Sequence, residues 1–349
     1  MEISDIQKQR KEYRNKVLSE LKKKKTMKVA YHYNCCDGIV SGAIVKKLFE
    51  KNQKLVYLPI DYSLLNNPNL REKFEKANWF AIVDLEPFNL NEMELYVDHH
   101  ISAVGKLINA RKIFFEAGGL STSYLLSKNY SSVLPDYMIE LAKMTEITDT
   151  ASYSIPPPIE LESSLDDFNE DTKIWFLEDA CKTAFTLEDH AILTDILSKK
   201  GWIGLWDFND PNVEFIHKKI SNLRYGRKKA HDVSQEIEIA DFVILIDRPS
   251  HYNITYIAHE VMYRGAKGTA YLTEYPDITR ISLRLSKKLT DEQIDFLRVD
   301  KLAKTMNGGG HKPASGAQLE STDEAVKRIS SWAKKMKLSV NIVDLRTKP

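Results

Sequence analysis

An acid followed by two imidazoles, Asp98-His99-His100, stands directly after the apolar run Leu95-Tyr96-Val97. Carboxylates and imidazoles together suit divalent manganese, zinc or magnesium. A second apolar run, Trp79-Phe80-Ala81-Ile82-Val83, ends in Asp84. A third, starting at Met27, delivers His32 and then runs into Asn34-Cys35-Cys36-Asp37-Gly38. Two divalent ions about 3.5–4 Å apart can clamp a phosphate and activate a water, and Asp84 is the candidate carboxylate to bridge them. Taken singly, each acid reads equally well as a helix cap. Three acid-bearing strand ends in one stretch of chain favour a metal-dependent phosphoesterase.

Placing these residues together requires a particular scaffold. The three runs read as strands buried on both faces, which is the pattern of a parallel sheet. In an open α/β sheet, the groups just beyond the carboxyl ends of the strands line the ligand crevice. The fold expected is therefore α/β, with a doubly wound, mainly parallel sheet. A second, smaller α+β domain is expected downstream. There Thr269–Leu272 and Arg280–Leu285 form a hairpin turning at Tyr275-Pro276-Asp277, followed by a helix to Met306. Ser321-Thr322-Asp323-Glu324 then opens a last helix as a capping box.

These pieces, in order, resemble the DHH phosphoesterase superfamily, in the branch that carries the DHH-associated C-terminal domain. The resemblance runs from Met27 onward. It rests on His32 with Asp37-Gly38, on Asp84, on Asp98-His99-His100, and on Gly308-Gly309-Gly310-His311-Lys312-Pro313-Ala314-Ser315-Gly316. It implies that His32, Asp37, Asp84, His99 and Asp149 are metal ligands. Asp98 would orient an imidazole, the usual task of a carboxylate behind a metal-bound histidine. His100 would face the phosphate, so Asp84, Asp98, His99 and His100 form the catalytic set. Gly308, Gly309, Gly310 and His311, with an arginine at a strand end, would hold the far end of a nucleotide. Arg284 is the first choice for that arginine and Arg280 the second. The second domain would close over the cleft.

One position departs from the family pattern. Many members carry Asp-x-Asp-Gly in the first motif, and here Cys35 occupies the place of the first acid. A thiolate ligand for a softer ion, a weak first site, simple packing of the thiol and a degenerate, non-cleaving protein are all open readings. Gly118-Gly119-Leu120-Ser121-Thr122-Ser123 precedes an apolar helix, and its amides and hydroxyls could bind an anion. Ser121 and Thr122 are candidate substrate contacts, or N-caps.

The chain has 349 residues, more than one core normally supports. Domains are expected at 27–205 and 239–349, joined by a connecting helix over 206–238. A charged helical extension occupies 1–26, with an apolar stripe of Ile6, Tyr13, Val17 and Leu21 that would pack on the body or on a second copy in a homodimer. The 50 basic and 49 acidic residues leave a net charge of +1, which gives no overall electrostatic footprint for long nucleic acid and favours a short ligand. Three cysteines make a poor disulfide framework, and no signal peptide or membrane span is visible, so the cytoplasm is the expected compartment.

The function expected is hydrolysis of short oligonucleotides or cyclic or linear dinucleotides by a metal-activated water. The cofactor would be two divalent ions, manganese first, with magnesium, cobalt or zinc as alternatives. The competing readings are a RecJ-type single-strand exonuclease and a nucleotide-binding sensor that has lost its chemistry.

Overall fold

Five strands in the first 115 residues align in parallel: β1 (Met27–His32), β2 (Leu55–Ile60), β3 (Trp79–Val83), β4 (Met93–Asp98) and β5 (Ala110–Phe115). Their order is β2-β1-β3-β4-β5. The strand order reverses between β1 and β3, so the switch-point crevice opens beyond the carboxyl ends of those two strands. The computed structural model describes residues 3–89, 91–150, 152–249 and 252–348. Two units divide the chain, Ile3–Leu223 and Arg224–Pro349.

Both faces of this sheet are covered, as continuous apolar strands demand. On one side Val29, Tyr31, Phe80, Ala81 and Val83 pack with Ile39, Val40 and Ile44 of the helix Cys36–Phe49 and with Leu141, Phe176 and Leu197 of later helices. On the other, Ala30, Leu58, Ile60, Ile82 and Tyr96 meet Tyr13, Val17 and Leu21. These last three lie on the helix Ile3–Leu21, so its stripe is buried against the body of its own chain. The side chain of Ile6 lies outside the described residues. Gly38 is needed because a Cβ there would stand 2.3 Å from the carbonyl oxygen of His32. Only glycine lets the first helix turn pack under the end of β1.

The expected helical stretch from Ser164 to Gly201 is two helices, Glu170–Lys182 and Leu187–Lys200. Asn169 and Thr186 cap them through capping boxes, so the break falls just before the second cap. His190 on the latter helix is fully buried, with its ring stacked 5.0 Å from that of Tyr33. Burial, the largest influence, lowers its pKa to about 3. A histidine whose folded pKa lies below its unfolded value of 6.5 supports folding while neutral, and that support is lost as pH falls from 6.5 toward 3. Between pH 7 and pH 4 the loss should be about 3 kcal/mol. Urea titrations of wild type and His190→Phe at both pH values measure it. A pH dependence as steep in the variant as in wild type would show that His190 is not its source.

The second unit holds a mixed sheet of order β11-β6-β7-β8-β10-β9. Its strands are β6 (Phe242–Asp247), β7 (Gly268–Glu274), β8 (Thr279–Leu285), β9 (Gly309–His311), β10 (Ala314–Leu319) and β11 (Val340–Asp344). β7 and β8 form the expected antiparallel hairpin, closed by the Tyr275 N–H on the Ile278 carbonyl at 2.8 Å. The expected helix to Met306 is broken into Asp291–Leu297 and Val299–Lys304, because Arg298 between them adopts a left-handed φ of 44°. The glycine run is no free loop: its last two glycines enter β9, which pairs with β10. A Cβ on Gly308 would lie 2.1 Å from the Gly316 carbonyl oxygen, and one on Gly310 2.6 Å from that of Ala314. Close strand packing therefore requires these two, while Gly309 faces open space.

The division between the units falls inside the 25-residue helix Pro211–Gln235. Among the described residues, no helix is long and apolar enough to cross a membrane.

Candidate metal centre

The crevice at the switch point gathers one residue set from five elements. His32 closes β1, and Asp37 sits in the first turn of the helix Cys36–Phe49. Asp84 follows β3 directly, with a left-handed φ of 57°. Such a conformation costs most residues about 1–2 kcal/mol, although Asp and Asn tolerate it best. Asp98 ends β4 and is followed by His99 and His100, while Asp149 ends the helix Asp136–Asp149.

Asp84 is the hub. Its Oδ2 lies 3.4 Å from His32 Nδ1, and its Oδ1 lies 3.6 Å from His99 Nε2 and 3.8 Å from His100 Nδ1. His99 Nε2 is also 3.8 Å from Asp37 Oδ2 and 3.7 Å from Asp149 Oδ2. These separations are too long for good hydrogen bonds. His32 Nδ1, Asp84 Oδ2 and His99 Nε2 are buried with no hydrogen-bond partner among the described residues. Two donors about 2.1 Å from a shared ion stand about 3.0–3.4 Å apart at octahedral or tetrahedral angles. The residues therefore fit divalent cations. Donor atoms within 4.8 Å of one another form the sets Asp37/His99/Asp149, His32/Cys35/Asp84 and Asp84/His99/His100.

The electrostatics agree with that fit. Burial, then the carboxylates of Asp84 and Asp149, pushes the Asp37 carboxyl well above the usual range. For Asp84, burial would raise the pKa, but the imidazoles of His32 and His99 overcome it and hold the group low. His99 is pushed up to about 9: its own desolvation pulls downward, and the acids around it outweigh that. Burial and the neighbouring charges thus favour the protonated forms of His99 and Asp37, and a bound cation would compete with those protons.

Supporting contacts fix these side chains. Asp37 accepts the N–H groups of Thr122 and Ser123, both at 2.8 Å, and Ser121 N–H donates to Glu146 at 2.7 Å. The start of the helix Thr122–Asn129 is therefore occupied by Asp37 itself. Ser121 and Thr122, expected as substrate contacts, are fully buried, and their amides orient acids of the centre. Asp98 Oδ1 holds His100 Nδ1 at 2.7 Å, and its Oδ2 accepts the Tyr96 hydroxyl at 2.9 Å. The Asp98 contact raises the pKa of His100 above its ordinary value.

Sequence reasoning missed Tyr96, Tyr62, whose ring stands edge-on to that of His32 at 5.0 Å, and Glu146. Tyr96 was findable, since residues two apart on a strand share a face and Asp98 lies two further on. Tyr62 and Glu146 carry no local signal.

The remaining expected contacts belong to the second unit. Gly309, Gly310 and His311 are exposed and Gly308 is half-buried. Arg284 is half-buried, with Nη1 donating to the Leu283 carbonyl at 3.0 Å. Arg280 is exposed, lies 4.9 Å over the Tyr275 ring, and lines a cavity of about 590 Å³ with Tyr271, Ser282, Asn307 and Gly308. Of the two arginines, Arg280 is the more exposed.

No family model matches this chain, and no curated protein matches it by sequence. Solved structures do. A pGpG-specific phosphodiesterase, PggH, from Vibrio cholerae is similar with a TM-score of 0.62 at 13% identity, over 89% of this chain and 99% of that one. Manganese-bound RecJ from Thermus thermophilus gives a TM-score of 0.56 at 14% identity, over 95% of this chain but 56% of RecJ. A manganese-bound exonuclease RecJ structure gives 0.55 at 15% identity, over 92% and 94% of the two chains. At these identities the likeness concerns the fold: this chain is built on the α/β fold, with a second mixed-sheet unit, that the PggH phosphodiesterase and RecJ exonucleases share.

Proposed function

We propose that this protein is a DHH-superfamily phosphodiesterase that uses two divalent cations, manganese foremost, to hydrolyse short nucleotides such as the linear dinucleotide pGpG. The observation that carries this reading is the convergence of His32, Asp37, Asp84, His99 and Asp149 on one crevice, with three buried donor atoms left without partners. When bound, divalent cations neutralise charge on a phosphoryl group and lower the pKa of water toward neutrality. Asp84 offers one oxygen to each side of the centre and so sets the spacing of the two positions. His100, with Nδ1 held by Asp98, would in its protonated form offer Nε2–H to a phosphate oxygen or to the departing alkoxide. Tyr96 keeps the Asp98 carboxylate in place for that task.

Within the second unit, the cavity around Arg280 and Tyr275 offers a base a stacking surface on the arginine–tyrosine pair. Stacking of one base is worth about 1–3 kcal/mol, so Arg280→Ala should raise KM for a dinucleotide about 5- to 160-fold and leave kcat within about twofold. Steady-state kinetics check this. An unchanged KM would remove Arg280 from the substrate site.

A substrate panel separates the readings. Metal-loaded protein is incubated with linear and cyclic dinucleotides, cyclic mononucleotides, short RNA and long single-stranded DNA, and the products are resolved by chromatography. Mononucleotide release confined to short substrates supports the proposal. Progressive digestion of long DNA would replace it with the exonuclease reading, and tight nucleotide binding with no product from any substrate would replace it with the sensor.

A further inference from the structure

The donors of the centre are not chemically alike. Asp37, His99 and Asp149 supply two carboxylates and an imidazole, whereas His32, Cys35 and Asp84 supply an imidazole, a thiol and a carboxylate. In this second set Asp84 is 1% exposed, and its Oδ2 has no hydrogen-bond partner among the described residues. That oxygen stands 3.4 Å from His32 Nδ1, which is also unpartnered. The Cys35 sulfur lies within 4.8 Å of both residues' donor atoms. Its backbone is held extended just before the helix Cys36–Phe49, with its carbonyl accepting the Ile39 N–H at 3.0 Å. The other two cysteines, Cys36 and Cys181, are buried in the hydrophobic core.

We propose that Cys35 is a metal ligand. With His32 and Asp84 it makes one of the two positions a thiolate site that selects zinc, cobalt or ferrous iron over manganese and magnesium. The proposal rests on the metal-dependent reading above. Thiolate is a soft donor and favours the borderline ions, while the carboxylate-rich position of Asp37, His99 and Asp149 suits a harder one. Formation of the sulfur–metal bond replaces the S–H bond and releases one proton to solvent, with no change of oxidation state. The centre would then hold two unlike ions, bridged by Asp84.

The test is spectroscopic. Chelator-stripped full-length protein is titrated with cobalt(II) and followed in the near ultraviolet, where thiolate-to-cobalt charge transfer absorbs. The band is expected in wild type and in a Cys36→Ser/Cys181→Ser double variant, which keeps Cys35 as its sole thiol. It is expected to vanish in Cys35→Ser and Cys35→Asp, with circular dichroism confirming that each is folded. Should Cys35→Ser fail to fold, Cys35→Asp and the wild-type spectrum decide the matter. In competition titrations, Cys35→Asp should shift the zinc-over-manganese preference toward manganese by about tenfold or more. Cobalt bound without the band, or a band surviving Cys35→Asp, would overturn the Cys35 assignment and leave the metal-dependent reading standing. A folded protein that binds no cobalt would overturn both.

Discussion

Asp84→Asn is expected to lower kcat on a linear dinucleotide by about 10³-fold or more, while the metal-free protein melts within a few degrees of wild type. Asp84 turns an oxygen toward each side of the centre, facing His32 on one and His99 on the other. Asparagine keeps its shape but removes the charge that a bridging ligand needs. The left-handed backbone at this position makes asparagine the informative replacement, because it tolerates φ of 57° nearly as well as aspartate. Alanine would add a backbone cost of about 1–2 kcal/mol and blur the reading. Losing the Asp84 charge gives up its attraction to His32 and His99 but also relieves its repulsion of Asp37 and Asp149, so the two effects offset and the metal-free fold loses little. Steady-state kinetics and a calorimetric melt on the same preparation check both halves. Turnover within tenfold of wild type would show that Asp84 bridges nothing.

Asp37→Ala should behave differently, losing activity to a similar degree and losing stability as well. The Asp37 carboxylate accepts two buried backbone N–H groups, those of Thr122 and Ser123. Each buried donor left unsatisfied costs about 1–3 kcal/mol. Part of that cost is offset, because burial and the carboxylates of Asp84 and Asp149 disfavour the ionised form of Asp37. A net loss of about 2 kcal/mol corresponds to a melting temperature about 4–8 °C lower for a unit of this size. The contrast separates a residue that serves chemistry alone from one that also pins the helix Thr122–Asn129 to the sheet. A variant melting with wild type would mean that the two amides find another acceptor.

The strands and their acids were legible in the sequence because the physics that buries a parallel strand also writes it as a short apolar run. The functional residue follows it at the carboxyl end, as Val83 is followed by Asp84 and Val97 by Asp98. The helices were less legible where caps and left-handed residues intervene: Thr186 and Arg298 each divide a stretch whose composition reads as one helix. The supporting contacts were least legible. Ser121 and Thr122 look like an anion site, and the acids their amides meet are Glu146 for Ser121 and, 85 positions away, Asp37 for Thr122. Arg280 and Arg284 lie on one strand, and only the fold shows that Arg280 is the more exposed of them.

The most direct test is a titration of manganese into chelator-stripped protein in which bound ions and mononucleotide released from a linear dinucleotide are measured in the same samples. Release should be absent without metal, rise as ions bind, and stay near the baseline in Asp84→Asn at every manganese concentration. Undiminished release in excess chelator, or none once wild-type protein is saturated with ions, would contradict a metal-dependent phosphodiesterase.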